Sequence, residues 1–342
     1  MKNLPDIWAV RQPDLFAEQA ELTRLIERQA FDPIVRRVFD WSDLCINAND
    51  RSALSALMTW LDDQALPPTF GAACLAFLNV MMKPENLPSH VKQVQAILDS
   101  ADLTHPDLCA LLFWRLSEMN DNPNPLRDIE HALGETQYSC YRSRLMLTRS
   151  LLLLADGRKK QADEYLHQAF DLATKTYDYD LGLLVDCYLE RCRRFILDQQ
   201  VFHAQAEMNE AIYNAVLVGN GKILISTLNA ASEFWLRLEQ VRRARGLAYV
   251  ALEFCRKAQI PPEPSELITQ PDDPELVAEG LLFIGKIFGE GETPDHQWAI
   301  AEAASQYAPE KNRLLQDEIG VQKFLANRAM KNLNRTYARR KS

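Results

Sequence analysis

Three stretches, QADEYLHQAFDLA (161–173), HAQAEMNEAIYNA (203–215) and RARGLAYVALEFC (243–255), align without a gap. Each opens its pattern with alanine, places an apolar or small residue four later, and returns to alanine three beyond that. The columns are Ala162/Ala204/Ala244, Leu166/Met208/Ala248 and Ala169/Ala211/Ala251, at spacings of 42 and 40 residues. Positions i, i+4 and i+7 share one face of a helix. The stretches therefore predict three helices that present small residues to a recurrent neighbour.

The preceding segments carry a matching set. Ser150, Cys192 and Ser232 stand twelve residues before the first alanines, with Met146, Tyr188 and Leu228 four earlier and Leu153, Phe195 and Trp235 three later. Small residues at a crossing let two backbones approach, and large apolar neighbours fill the space around it. Six columns over three units predict stacked antiparallel helix hairpins.

This pattern resembles the tetratricopeptide repeat, whose two-helix unit is usually about 34 residues long. The small residue of the family's first helix matches Ser150, Cys192 and Ser232, its second-helix alanines match the columns above, and its turn glycine matches Gly157 alone. The units are longer than usual and lack the motif's terminal proline. The clear resemblance covers about residues 137–258, and Ile129 and Ala132 extend it faintly upstream. It implies an all-α fold, a right-handed α-solenoid of antiparallel helix pairs with helical caps. On this reading residues 1–64 form an N-terminal cap region, 65–258 the repeat array, and 259–342 a C-terminal helical region.

Composition agrees with an all-helical chain. Of 342 residues, 47% are apolar and 25% charged, and only 12 are glycine, which excludes collagen-like, disordered and disulfide-scaffold classes. No apolar run approaches the ~20 residues of a membrane span. Seven scattered cysteines without a CxxC pair read as buried thiols in a reducing cytoplasm.

At the ends, residues 13–64 read as three amphipathic helices broken near Asp32-Pro33 and Asn47–Asp50. The segment PPEPSELITQPDDPE (261–275) ends the regular array, because proline cannot continue a helix. The last segment carries Val321, Leu325, Ala329, Leu333 and Tyr337 at i+4 spacing, read as an apolar stripe packing a terminal helix onto the last repeat. Residues 321–342 hold Lys323, Arg328, Lys331, Arg335, Arg339, Arg340 and Lys341 and no acid, so the net charge of −9 divides into a basic tail and a strongly acidic body.

No phosphate-binding loop, dinucleotide fingerprint, zinc-helix motif or nucleophile elbow occurs. Of the six histidines only His105 has a His or Cys at i+3 or i+4, Cys109, and a lone pair of this kind does not make up a metal-ligand set. No catalytic residue, metal or cofactor is expected. In a solenoid the first helix of each pair lines the concave face, and the register places Arg144, Asp186, Glu190, Arg193, Asn229, Glu233 and Arg237 there. The chaperone-type carboxylate clamp is absent, since two of its positions are Leu147 and Leu189. The expected function is a non-catalytic protein–protein interaction module, adaptor, chaperone-like or regulatory, that holds a partner segment in the groove. The alternative is a nucleic-acid-associated regulator acting through the basic C-terminal helix.

Overall fold

The computed structural model describes residues 5–9, 13–48, 50–82, 88–100, 103, 105–119, 122–175, 181–219, 221–262, 265–270, 272–289 and 293–341, excepting the side chains of 47, 88–90 and 334–341. Among these residues there is no strand. The helices are α1 (Leu15–Glu27), α2 (Phe31–Asn47), α3 (Arg51–Asp62), α4 (Pro68–Met82), α5 (Pro88–Leu98), α6 (Pro106–Ser117), α7 (Pro125–Glu135), α8 (Ser139–Ala155) and α9 (Lys159–Lys175). They continue with α10 (Leu181–Leu197), α11 (Val201–Val218), α12 (Gly221–Arg237), α13 (Val241–Ala258), α14 (Pro274–Gly289), α15 (Pro294–Tyr307) and α16 (Arg313–Lys341). Sequential helices pack pairwise, above all α8 on α9, α12 on α13 and α14 on α15.

The chain divides into two compact units. One comprises Arg11–Cys187; the other joins Met1–Val10 to Tyr188–Ser342, so the division falls inside α10. In the first unit the core is built around Leu22, Ile34, Val38, Leu54, Leu57 and Phe77, each at most 1% exposed. In the second, Leu228, Trp235, Leu247, Tyr249 and Phe288 are equally enclosed. Fully burying a side chain of this size contributes about 1.5–3 kcal/mol.

The repeat columns hold at atomic level. Ala162, Ala204, Ala244, Ala169 and Ala211 have no exposed surface, and Leu166, Met208, Ala248 and Ala251 are buried. Within the first unit Ser150 Oγ donates to the Ala162 carbonyl at 2.6 Å; within the second, Ser232 Oγ donates to the Ala244 carbonyl at 2.7 Å. Each bond ties the first helix of a hairpin to the second through a buried hydroxyl. Cys192 occupies the intervening column as a buried thiol, its pKa pushed up to about 12 chiefly by desolvation.

The hairpin turns are equivalent too. Gly157, Gln199 and Glu239, five residues before the column alanines, all adopt left-handed backbone, with φ of 76°, 58° and 60°. In each case the next amide reaches back to close the first helix: Arg158 N to Leu153 O, Gln200 N to Phe195 O and Gln240 N to Trp235 O, at 2.8–2.9 Å. This is the 6→1 bond of a Schellman cap. The α1–α2 connection repeats it, with Gln29 at φ 54° and Ala30 N bonded to Leu25 O at 3.0 Å. The break expected near Asp32-Pro33 thus falls at Arg28–Ala30, and Pro33 sits in the first turn of α2, where a missing amide donor costs nothing.

Candidate partner-binding surface

The seven residues assigned to a concave face do not share one fate. In the first unit Arg144 lies 3.9 Å from Asp43 and 5.1 Å above the Phe39 ring, its side chain only 16% exposed. It is committed to α2 rather than offered to a ligand. Asp186, at the start of α10, is exposed and engaged by neighbouring groups. In the second unit Glu190 is buried and accepts a hydrogen bond from Arg194 Nε at 3.0 Å, with both side chains under 10% exposed. This pair is structural: removing one partner would leave an uncompensated buried charge. Arg193, one turn along, is 68% exposed and 3.6 Å from Glu190.

Asn229 is half-buried on α12, while Glu233 and Arg237 are exposed. The repeat register gives these positions meaning. Arg193 and Glu233 stand in one column, whose α8 member is Leu151, exposed at 42%. Leu197, 71% exposed, stands in the column of Arg237. Within the second unit, equivalent positions of α10 and α12 therefore show solvent both signs of charge beside Leu197 and Leu236. Further apolar side chains, Val201, Phe202 and Val241, are exposed at the adjoining hairpin turns. A surface of mixed charge with scattered large apolar groups on rigid helices suits a protein segment.

Perturbed groups do not converge. Desolvation raises the carboxyl pKa of Glu18 on α1 and of Glu207 and Glu210 on α11, with Arg191 opposing the shift at Glu207 through a 2.7 Å ion pair. Burial lowers His296, which stacks on Phe288 at 5.6 Å. Among the described residues no three His, Cys, Asp or Glu side chains are gathered as a metal site, and no helix is long and apolar enough to cross a membrane. Five of the seven cysteines are buried.

Among the described residues, two of the cavities with an aromatic ring in their lining each lie within a single unit. One of about 560 Å³ in the first unit is lined by Phe31, Pro67, Pro68, Thr69, Phe70, Leu103, His105 and Pro106. There His105 caps α6, accepting from Leu108 N at Nδ1, while its Nε2 lies 2.9 Å from Asp32. The other, about 420 Å³, is lined in part by Arg242, Arg243, Phe283, Lys286 and Leu314. Arg242 is paired with Glu275 and Glu279, and Lys286 with Glu318. Arg243 instead lies over the Trp235 and Phe283 rings at 4.3 and 4.5 Å. Periodicity gave no sign of this stacking, because the two rings arrive from different helices.

The C-terminal stripe requires a correction. Val321, Leu325 and Leu333 are 55%, 46% and 38% exposed, and Phe324 beside them is 64% exposed. The face that packs on α14 and α15 is Leu315, Ile319, Gln322 and Ala326, all buried. A strict i+4 series advances about 40° per step around a 3.6-residue helix, so it winds off any single face, whereas the 4-3-4 series stays on one. Of the seven basic residues, Lys323 pairs with Glu302 at 2.7 Å, Arg328 and Lys331 are exposed, and the side chains of Arg335, Arg339, Arg340 and Lys341 lie outside the described residues.

Together these features define an all-helical repeat protein assembled from antiparallel helix pairs. No family model matches the sequence, and no curated protein matches it. Among solved structures, the fold is similar to that of a Rap protein complexed with competence and sporulation factor, at a TM-score of 0.47 and 11% identity, over 94% of this chain and 86% of that chain.

Proposed function

We propose that this chain is a tetratricopeptide-like protein-interaction module of the cytoplasm, adaptor or regulatory in role, that acts by binding a protein segment rather than by catalysis. The observation that carries the reading is the solvent-facing strip of the second unit, where Arg193, Glu233 and Arg237 alternate with Leu197 and Leu236 on hairpins whose geometry repeats. The helices beneath are fixed by the Ser232 and Glu190 contacts, so the strip is preorganised and binding would not have to order it. Scattered, mostly buried cysteines support a reducing compartment.

The test compares the wild type with the Arg193→Glu/Arg237→Glu variant as baits in affinity purification from the native cell, followed by calorimetry on recovered partners. Both positions are exposed, so the variant keeps its circular dichroism spectrum. Partners that require the strip are lost from the variant. Undiminished recovery and affinity would remove this face from consideration.

A further inference from the structure

Residues 5–9 belong to the same compact unit as Tyr188–Ser342, although Arg11–Cys187 intervene in sequence. They form a short turn in which Asp6 Oδ1 accepts from the Trp8 amide at 3.0 Å and Asp6 O from the Ala9 amide at 3.1 Å. Both of these hydrogen bonds are internal to the turn. The ring contacts that tie these residues to the unit are those of the Trp8 indole, beside half-buried Pro5 and Ile7.

The indole lies 4.5 Å from the Phe254 ring and edge-on to Tyr307 at 6.1 Å, with Lys257 Nζ 5.0 Å from its centre. Phe254 and Lys257 come from the last turns of α13, and Tyr307 ends α15. Glu253 fixes the walls: it accepts from the Tyr307 hydroxyl at 2.7 Å and lies within 4 Å of Lys257 and Arg256. Arg256 is held in turn by Asp272 at 2.6 Å. The cup is therefore built from α13 and α15 alone. An aromatic wall, a ring edge and a cation over the face are the elements by which proteins recognise indole.

We propose that Phe254, Lys257 and Tyr307 form a peptide-binding site for a tryptophan presented on an Asp-x-Trp turn, and that Asp6-Ile7-Trp8 is its resident occupant, exchangeable with a like segment supplied in trans. A segment whose described residues, 5–9, are seated by side chains, with no main-chain bond to the cup, is separable from it, whereas a cup locked by Glu253 persists when emptied. The resident competes as a tethered ligand, so its effective concentration exceeds that of a free peptide in dilute solution. This site is distinct from the α10–α12 strip, and its failure would leave that reading untouched.

The experiment uses the full chain carrying Trp8→Ala and a fluorescein-labelled peptide of residues 1–12. Anisotropy is expected to show saturable binding to the variant and at least tenfold weaker binding to the wild type. The same peptide with Trp8→Ala does not bind, and Lys257→Glu in the Trp8→Ala chain weakens binding several-fold. A peptide that binds neither protein, or both alike, overturns the proposal. Should Trp8→Ala lose helicity, 19F NMR of 5-fluorotryptophan-labelled wild type serves instead. Excess peptide must then move the Trp8 resonance, assigned by its absence in Trp8→Phe, toward its free position; a resonance unmoved by millimolar peptide overturns the proposal equally.

Discussion

Replacing Gly280 with alanine should separate α13 from α14. An added Cβ would stand 2.4 Å from Gly246 O, 2.6 Å from Gly246 C and 2.7 Å from Val250 Cγ2. Carbon contacts are most favourable at about 3.5–4.0 Å, so the helices must part by about 1 Å, and backbone atoms have no rotamer to retreat into. Overpacking of a tight core costs about 1–3 kcal/mol or more, and two backbone collisions place this site at the upper end. Alanine returns about 1 kcal/mol of helix propensity, leaving a net loss of about 2 kcal/mol.

Two other glycines set the scale of the effect. A Cβ on Gly246 meets Gly280 N, Gly280 Cα and Leu276 O at 3.1–3.2 Å, so strain and propensity nearly cancel there. Gly320, inside α16, has nothing within 4 Å and should gain about 1 kcal/mol as alanine. Urea unfolding, followed by far-ultraviolet circular dichroism and by emission of the buried Trp235, which packs on Phe283 of α14 at 5.5 Å, ranks the three. The expected order of midpoints is Gly320→Ala above wild type, Gly246→Ala close to wild type, and Gly280→Ala lowest. A Gly280→Ala protein as stable as wild type would refute the backbone-to-backbone contact.

At the turns, Gln199→Gly and Glu239→Gly should each stabilise by about 0.5–1 kcal/mol, since left-handed backbone costs a side-chain-bearing residue about 1–2 kcal/mol and part of the relief is lost to the flexibility of glycine in the unfolded chain; a lowered melting temperature in both would argue against the shared turn geometry. His296 is held below the usual histidine range by burial, against a smaller opposing effect of Asp295. The unfolded chain therefore takes up a proton that the folded site resists, so stability falls as pH drops below the unfolded value near 6.5. His296→Phe should flatten that part of the pH–stability curve measured by thermal unfolding. On α16, Ala326→Glu places a charge at a position with no exposed surface and should cost several kcal/mol, whereas Phe324→Glu at a 64% exposed position should leave the melting temperature within a degree or two; equal effects would mean that the helix is seated on its other face.

The sequence by itself determined the helices, their pairing and the crossings of the repeat. Those depend on a residue's own size and its phase along one helix, so Ala162, Ala204 and Ala244, with Ser150, Cys192 and Ser232 ahead of them, could be read as a recurring contact before any coordinates. The three amphipathic helices of residues 13–64 were legible for the same reason. The left-handed turns at Gln199 and Glu239 were not: no glycine marks them, and the packed hairpin imposes the conformation. Only the tertiary structure decided the rest. Asp43 reaches Arg144 across about a hundred residues, Gly280 meets Gly246, and Trp8 meets Phe254, because stacked elements bring together groups that no local period connects. The same stacking turned Val321, Phe324 and Leu325 to solvent and gave the buried side of α16 to Ile319 and Ala326. An amphipathic pattern fixes which residues can share a face, but the neighbouring surfaces select the face that is buried.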